Sequence, residues 1–140
     1  MSVKKKKLPG YAAGGRNFVH VRDAAIGVVN AIDMGRIGES YILGNANLSY
    51  REIFEIMAKE SGVDPPRILI PKYISASFGL IMSALSAVFR FTPQLTYRMA
   101  LMSADGNYYT AKKAVDELKM PQTPIEIGVR EAYEWLSKQN

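Results

Sequence analysis

Tyr108 stands four residues before Lys112, and Tyr109 four before Lys113. On one helix that spacing stacks a phenol near an ammonium, which lowers the phenol pKa and lets it pass a proton. The chemistry requires both groups on the same helical face. Thr110 reads as the cap of a helix that starts after it, so both tyrosines precede that helix and the pattern lacks its context. His20 is the single histidine. It alternates with Val19 and Val21 in an apolar run and reads as a structural residue. With no cysteine and no Gly-x-Ser-x-Gly elbow, the chain has no Cys-based zinc site and no serine triad. Arg16 lies between a glycine pair and an apolar run. Its guanidinium could grip a phosphate or carboxylate with two parallel hydrogen bonds, or it could be an ordinary exposed arginine on a loop.

A nucleotide cofactor asks for glycines at a strand-to-helix turn, where backbone N–H groups meet a pyrophosphate. No Gly-x-Gly-x-x-Gly occurs, and Gly10, Gly14 and Gly15 precede a strand rather than follow one. A phosphate-binding Gly-x-x-x-x-Gly-Lys-Ser/Thr loop is also missing. The residues therefore assign no catalytic group, no cofactor-binding group and no metal ligand.

The elements that would position Arg16 are short. Leu8 to Gly15 holds one proline and three glycines and reads as a loop. Asn17–Val21 reads as a strand, Asp23 as the N-cap of a helix on which Ala25, Ile26, Val29 and Ile32 recur at helical spacing, and Gly35 as its end. Tyr41–Leu43 reads as a second strand. Strand, helix and strand in that order predict a βαβ unit with parallel strands. Ser49 and Glu52 have capping-box spacing, Ile53, Ile56 and Met57 supply the buried side of the next helix, and Gly62 closes it. Arg67–Ile70 reads as a third strand and Tyr73–Phe89 as a long helix. Thr92-Pro93 opens another helix, and Asp105-Gly106-Asn107 is a turn. Ala111, Ala114, Val115 and Leu118 share a face of a short helix. Thr123-Pro124-Ile125-Glu126 starts the last one, with Ile125, Val129, Ala132, Trp135 and Leu136 as its apolar side.

Composition sets the class. Nearly half of the 140 residues are apolar and about a fifth are charged, as in folded globular proteins. The net charge is +5, and Lys4–Lys7 supply four of those charges. Such a run can meet phosphates or acidic lipids, but no aromatic residue interleaves with it, so it reads as a solvated tail rather than a nucleic-acid arm. Tyr73–Phe89 is uncharged and 17 residues long, at the lower limit of a membrane span. Its serines and Gly79 favour a helix buried in protein. The absence of cysteine suits a reducing cytoplasm. Three short strands cannot cover so many helices, which points to part of a larger α/β fold or to a small domain that dimerises.

The order of these segments resembles a known family. Gly14-Gly15-Arg16-Asn17-Phe18-Val19-His20-Val21-Arg22-Asp23-Ala24-Ala25 is similar to the Gly-x-Arg-x-Phe-Ile/Val-His/Asp-Val-x-Asp-x-Ala segment of extended short-chain dehydrogenases/reductases. Gly35–Gly44 resembles the Gly-x-x-Gly-Glu-x-Tyr-x-Leu-Gly segment that follows it. Asn47–Ile53 resembles Asn-Leu-Ser/Thr-x-Arg/Lys-Glu-Ile/Leu, Lys112–Leu118 resembles Ser-x-Lys-Ala-x-x-Glu-Leu, and Thr123–Gly128 with Trp135 resembles the last helix. Dihydroflavonol-reductase-like and hopanoid-associated sugar-epimerase-like members look nearest. The resemblance runs colinearly from about Leu8 to the end. It implies the C-terminal part of an NAD-dependent epimerase/dehydratase: a partial Rossmann-type βαβ unit plus a mostly helical substrate-binding subdomain. Residues 1–15 would be a basic tail and glycine-rich loop, and 16–140 the substrate-binding part.

The NAD or NADP site and the catalytic Tyr-x-x-x-Lys pair belong to the family's N-terminal part. This chain alone is then expected to bind no cofactor and to be inactive. The resemblance implies substrate contacts at Arg16, Asn17 and Arg98, with Arg16 on a substrate phosphate in nucleotide-sugar members. It also implies a small-molecule substrate, no nucleic acid, no membrane span and a cytoplasmic setting. Self-association is expected because surface that the N-terminal part covers would be bare. The competing reading is a free-standing, self-associating interaction module without enzymatic activity.

Overall fold

A computed structural model describes residues 10–89, 98–99, 102 and 105–138 of the chain. The lysine run and the helix expected at Thr92-Pro93 lie outside them. The described elements run β1 (Tyr11–Ala12), β2 (Gly15–Phe18), α1 (Val21–Met34), β3 (Ala46–Ser49), α2 (Tyr50–Ser61), β4 (Leu69–Ile70), α3 (Lys72–Phe89), α4 (Lys112–Leu118) and α5 (Ile125–Lys138). The chain mixes helices with a few short strands.

Strand pairing departs from the expected βαβ unit. β2 pairs antiparallel with β3, placing Arg16 opposite Leu48 and Asn17 opposite Asn47. Tyr41–Leu43 is not a strand. Its side chains have other work: the Tyr41 hydroxyl donates to Glu117 at 2.7 Å, and Leu43 packs on the main core. The glycine-rich segment is not a simple loop either. Tyr11–Ala12 pairs in parallel with Leu69–Ile70, and Gly15 opens β2. The third expected strand is thus present but shorter.

The core gathers Ala111, Ala114, Leu118 and Met120, with Val19, Ala31, Tyr41, Leu43 and Val115 packed around it. Leu118 and Met120 are fully buried, each worth about 1.5–3 kcal/mol of transfer free energy. The alanine and leucine face expected of α4 is the face that enters this core. α2 forms as expected: Ser49 and Glu52 close a capping box, and Gly62 ends the helix. α2 packs against α5, tied by Arg130 Nε to Glu60 Oε2 at 2.7 Å. α5 buries Ile125, but Ala132, Trp135 and Leu136 are exposed, contrary to the expected stripe.

α1 corrects the expected N-cap. Its N-cap is His20, whose Nδ1 accepts from the Arg22 amide at 3.2 Å, so the helix starts before Asp23. Asp23 is buried, 3% exposed, and caps across the fold: it accepts from the Thr123 amide at 2.6 Å and the Thr123 hydroxyl at 2.9 Å. Thr123 therefore gives its donors to α1. The apolar stripe recurs as the spacing predicts, and it faces outward: Ile26, Val29 and Ile32 are exposed. Asp23 and Gly27 form the buried side instead. A Cβ on Gly27 would lie 2.9 Å from Leu43 and 3.1 Å from Met120, so only glycine lets the core approach this closely. Asn30 completes the inward face by donating to the Leu118 carbonyl at 2.8 Å.

α3 covers the expected long helix. Ile74, Phe78, Ile81 and Leu85 along it are all exposed. Among the described residues no helix is long and apolar enough to cross a membrane.

Candidate functional site

β2 carries Arg16 and Asn17, and successive side chains of a strand point to opposite faces. Arg16 is exposed and points to the start of α2, where its Nε donates to the Tyr50 hydroxyl at 2.8 Å. Tyr50 is placed by the Ser49 cap and by its own amide, which donates to the Gly14 carbonyl at 3.0 Å. Its ring stacks on Phe54 with centroids 6.5 Å apart. The Tyr50 hydrogen bond, reinforced by electrostatics with the same ring, raises the Arg16 pKa above its already high ordinary value. Among the described residues no carboxylate pairs with Arg16. The result is an exposed, permanent cation held through Nε. That arrangement suits a phosphate or carboxylate taken end-on by two N–H groups.

The backbone around Arg16 is tightly packed. A Cβ on Gly15 would collide with the Tyr108 hydroxyl and the Leu48 carbonyl, so glycine is required for β3 and Tyr108 to close on β2. Asn107 bonds to both sides of Arg16: its amide donates to the Gly15 carbonyl at 2.9 Å, and its carbonyl accepts from the Asn17 amide at 3.2 Å. Tyr50, Asn107 and Tyr108 were not assigned to a site from the sequence. Their proximity arises from chain segments far apart in number, and no local pattern signals it.

Asn17 faces the other way. Its Nδ2 donates to Asn47 Oδ1 at 2.8 Å and to the Tyr109 carbonyl at 3.2 Å, and its Oδ1 accepts from the Asn45 amide at 3.0 Å. This side chain ties β2 to β3 and to the segment before α4. An open cleft of about 350 Å3 borders the network, lined by Asn45, Asn47, Tyr109, Thr110, Lys112 and Gln122 among others. Arg98 lies in a helical turn and is exposed; among the described residues it makes no ion pair with a carboxylate. The structure therefore holds Arg16 and Asn17 on adjacent positions of one strand but on opposite faces, and it does not join Arg98 to either.

The Tyr-x-x-x-Lys spacings come apart because both tyrosines precede the helix, although its N-cap is Ala111, without a side-chain cap bond, and not the expected Thr110. α4 begins at Lys112, and the Lys112 amide donates to the Thr110 hydroxyl at 3.3 Å. Lys112 pairs with Asp116 at 2.5 Å. Lys113 pairs with Glu39 at 2.7 Å and sits 4.4 Å above the Tyr41 ring. Neither lysine meets its tyrosine.

Among the described residues the strand-to-helix junctions are closed by the chain's own groups. At β2–α1 the His20 side chain occupies the helix start, and at β3–α2 the Glu52 carboxylate does. At β4–α3 the connection is Pro71, whose carbonyl accepts from Ile74 and Ser75. Among the described residues no three metal-ligating side chains converge.

No protein-family model matches the chain. It is similar to a putative dihydroflavonol 4-reductase of Synechocystis, 30% identical over 135 residues, which cover 94% of this chain and 39% of that protein. The same fit is found with the crystal structure of gox2253, at TM-score 0.76 and 30% identity, across 95% of this chain and 40% of the other. The match fits the carboxy-terminal portion of an epimerase or dihydroflavonol-reductase-like protein. A nucleoside-diphosphate-sugar epimerase from Pseudomonas aeruginosa shares the fold at TM-score 0.74 and 23% identity, with 99% of this chain and 41% of that one covered. Sterol demethylase protein B of Methylococcus capsulatus is 23% identical over 92% of this chain and 40% of its own length. The chain spans about two-fifths of the length of the curated relatives it matches.

Proposed function

We propose that this chain is the substrate-binding, C-terminal portion of an NAD(P)-dependent reductase or epimerase acting on a nucleotide-sugar or dihydroflavonol-like small molecule in the cytoplasm. The observation that carries the proposal is Arg16: an exposed cation held by Tyr50, without a carboxylate partner among the described residues, in a chain 30% identical over 135 residues to a reductase-like relative. Arg16 takes an anionic group of the substrate. Asn17 contributes by holding Arg16's strand in register, and Arg98 supplies a second contact from the helical side. The nicotinamide cofactor and the proton-transfer residues come from the portion of the enzyme that this chain does not span, and the chain alone turns nothing over.

The experiment has two arms. NADH and NADPH are titrated into the isolated chain by calorimetry, with no saturable binding expected; micromolar binding of either overturns the proposal. UDP is titrated in parallel as an anionic probe. Arg16→Ala is expected to weaken whatever binding is seen about tenfold to a hundredfold, the cost of losing a charge-assisted hydrogen bond, while Arg16→Lys restores only part of it. Equal UDP binding by all three proteins removes Arg16 from the site.

The exposed apolar residues of α1 and α3 support a second reading, a free-standing module that pairs with its own copy and catalyses nothing.

A further inference from the structure

The Tyr50 hydroxyl that holds Arg16 has a proton of its own to give. A phenol accepts through its oxygen and donates through its O–H. Arg16 Nε engages the oxygen at 2.8 Å, and among the described residues no acceptor takes the proton. The chain contains a second arginine–tyrosine pair that shows what such a proton does. The Tyr41 hydroxyl accepts from the Arg36 amide at 3.1 Å and donates to the Glu117 carboxylate at 2.7 Å. The Arg36 guanidinium grips the same carboxylate through Nε at 2.9 Å and a terminal nitrogen at 2.6 Å. Arginine and phenol thus close on one oxyanion together. At Arg16 the two carboxylates of the adjoining helix have other partners. Glu52 accepts from the Ser49 amide and hydroxyl, and Glu55 pairs with Arg51. Tyr50 itself is fixed without Arg16, by its amide on the Gly14 carbonyl and its ring on Phe54.

We infer that the Tyr50 hydroxyl donates directly to the anionic group that Arg16 takes, so that strand and helix each supply a donor to one phosphoryl group. A phosphoryl group fits better than a carboxylate, because it carries more charge and has three strong acceptor oxygens for the terminal guanidinium nitrogens and the phenol. The inference rests on the reading of Arg16 as an anion contact and adds a second residue to it.

The test titrates UDP into the full chain by calorimetry, with succinate as the carboxylate probe. Tyr50→Phe keeps the ring on Phe54 and removes one oxygen from an exposed bond, so the variant folds as the parent does. It is expected to weaken UDP about tenfold, the worth of a hydrogen bond to a charged group. Arg16→Lys separates donating from positioning, since lysine keeps the cation and lacks Nε. In that background Tyr50→Phe should still weaken UDP about fivefold. Succinate should bind the parent about tenfold more weakly than UDP. The inference is overturned by a Tyr50→Phe protein that binds UDP as the parent does, by a loss that vanishes in the Arg16→Lys background, by succinate binding more tightly than UDP, or by a parent that takes up no UDP at millimolar concentration. Parental affinity in Arg16→Ala sinks the arginine reading instead, and leaves Tyr50 to be judged by its own variant.

Discussion

α3 is the more apolar in sequence, yet α4 is the better buried. α4 is seven residues long and holds four charged ones, but its Ala114 and Leu118 are completely buried. α3 has 18 residues and one charge, and Tyr73, Ile74, Phe78, Leu80 and Ile81 are more than half exposed. The difference lies in the long-range bonds around α4. Asn30 takes the Leu118 carbonyl, Arg36 and Tyr41 take Glu117, and Asp23 holds Thr123 just beyond. The serines of α3 bond to carbonyls of their own helix: Ser77 to Tyr73 and Ser83 to Gly79. Hydrophobicity makes burial favourable, but fixed polar partners at a defined geometry decide which face is buried.

The strongest challenge to this comparison is truncation of the core leucine. Leu118→Ala should cost about 3–5 kcal/mol, since it empties a fully enclosed site, whereas Leu80→Ala on α3 should stay within about 0.5 kcal/mol. Urea unfolding of both variants checks it; equal losses would mean that α3 is buried in solution.

Asp23→Ala should cost about 2–3 kcal/mol by the same measurement, because the Thr123 amide and hydroxyl lose a charged acceptor at a part-buried place. A loss as small as that of an ordinary surface substitution would remove the cross-fold cap from the account.

Lys119 ends α4 in the left-handed conformation, φ 53°, where a side chain is strained and glycine is not. Lys119→Gly should stabilise the chain by roughly 0.5–1 kcal/mol, visible as a higher unfolding midpoint.

The smallest effect is expected from acid. Glu117 is held below its ordinary pKa of 4.5, first by the Tyr41 hydroxyl and then by Arg36. A carboxylate with a depressed folded pKa stabilises fully above its ordinary value and loses that contribution as pH falls through the depressed one. Tyr41→Phe should therefore flatten the acid side of the stability curve below about pH 4.5 and leave its shape near neutrality unchanged, with the site's exposure keeping the change small. An unchanged acid limb would show that Tyr41 does not tune Glu117.

Much of the local structure was readable in the chain. The Ser49–Glu52 box, the end of α2 at Gly62, the alanine and leucine face of α4 and the break between Tyr108–Tyr109 and their lysines all follow from spacings of a few residues. Arg16 was visible as a cation beside a glycine pair, but Tyr50, which steers it, was not. The errors concern partners far away in number. β2 chose residues 46–49 and not 41–43, because Asn17 locks onto Asn45 and Asn47 while Tyr41 and Leu43 are drawn to α4.

The sequence by itself determined where α2 begins and ends and where α1 ends, since the Ser49–Glu52 box, Gly62 and Gly35 act within one or two turns. It also lacks the Gly-x-Gly-x-x-Gly spacing. Only the tertiary structure decided strand pairing, the neighbour of Arg16 and the direction in which α1 faces. The stripe of α1 is equally apolar whichever way it turns. What turned it outward is Asp23, whose carboxylate finds the Thr123 donors on the opposite side of the helix and brings Gly27 against Met120.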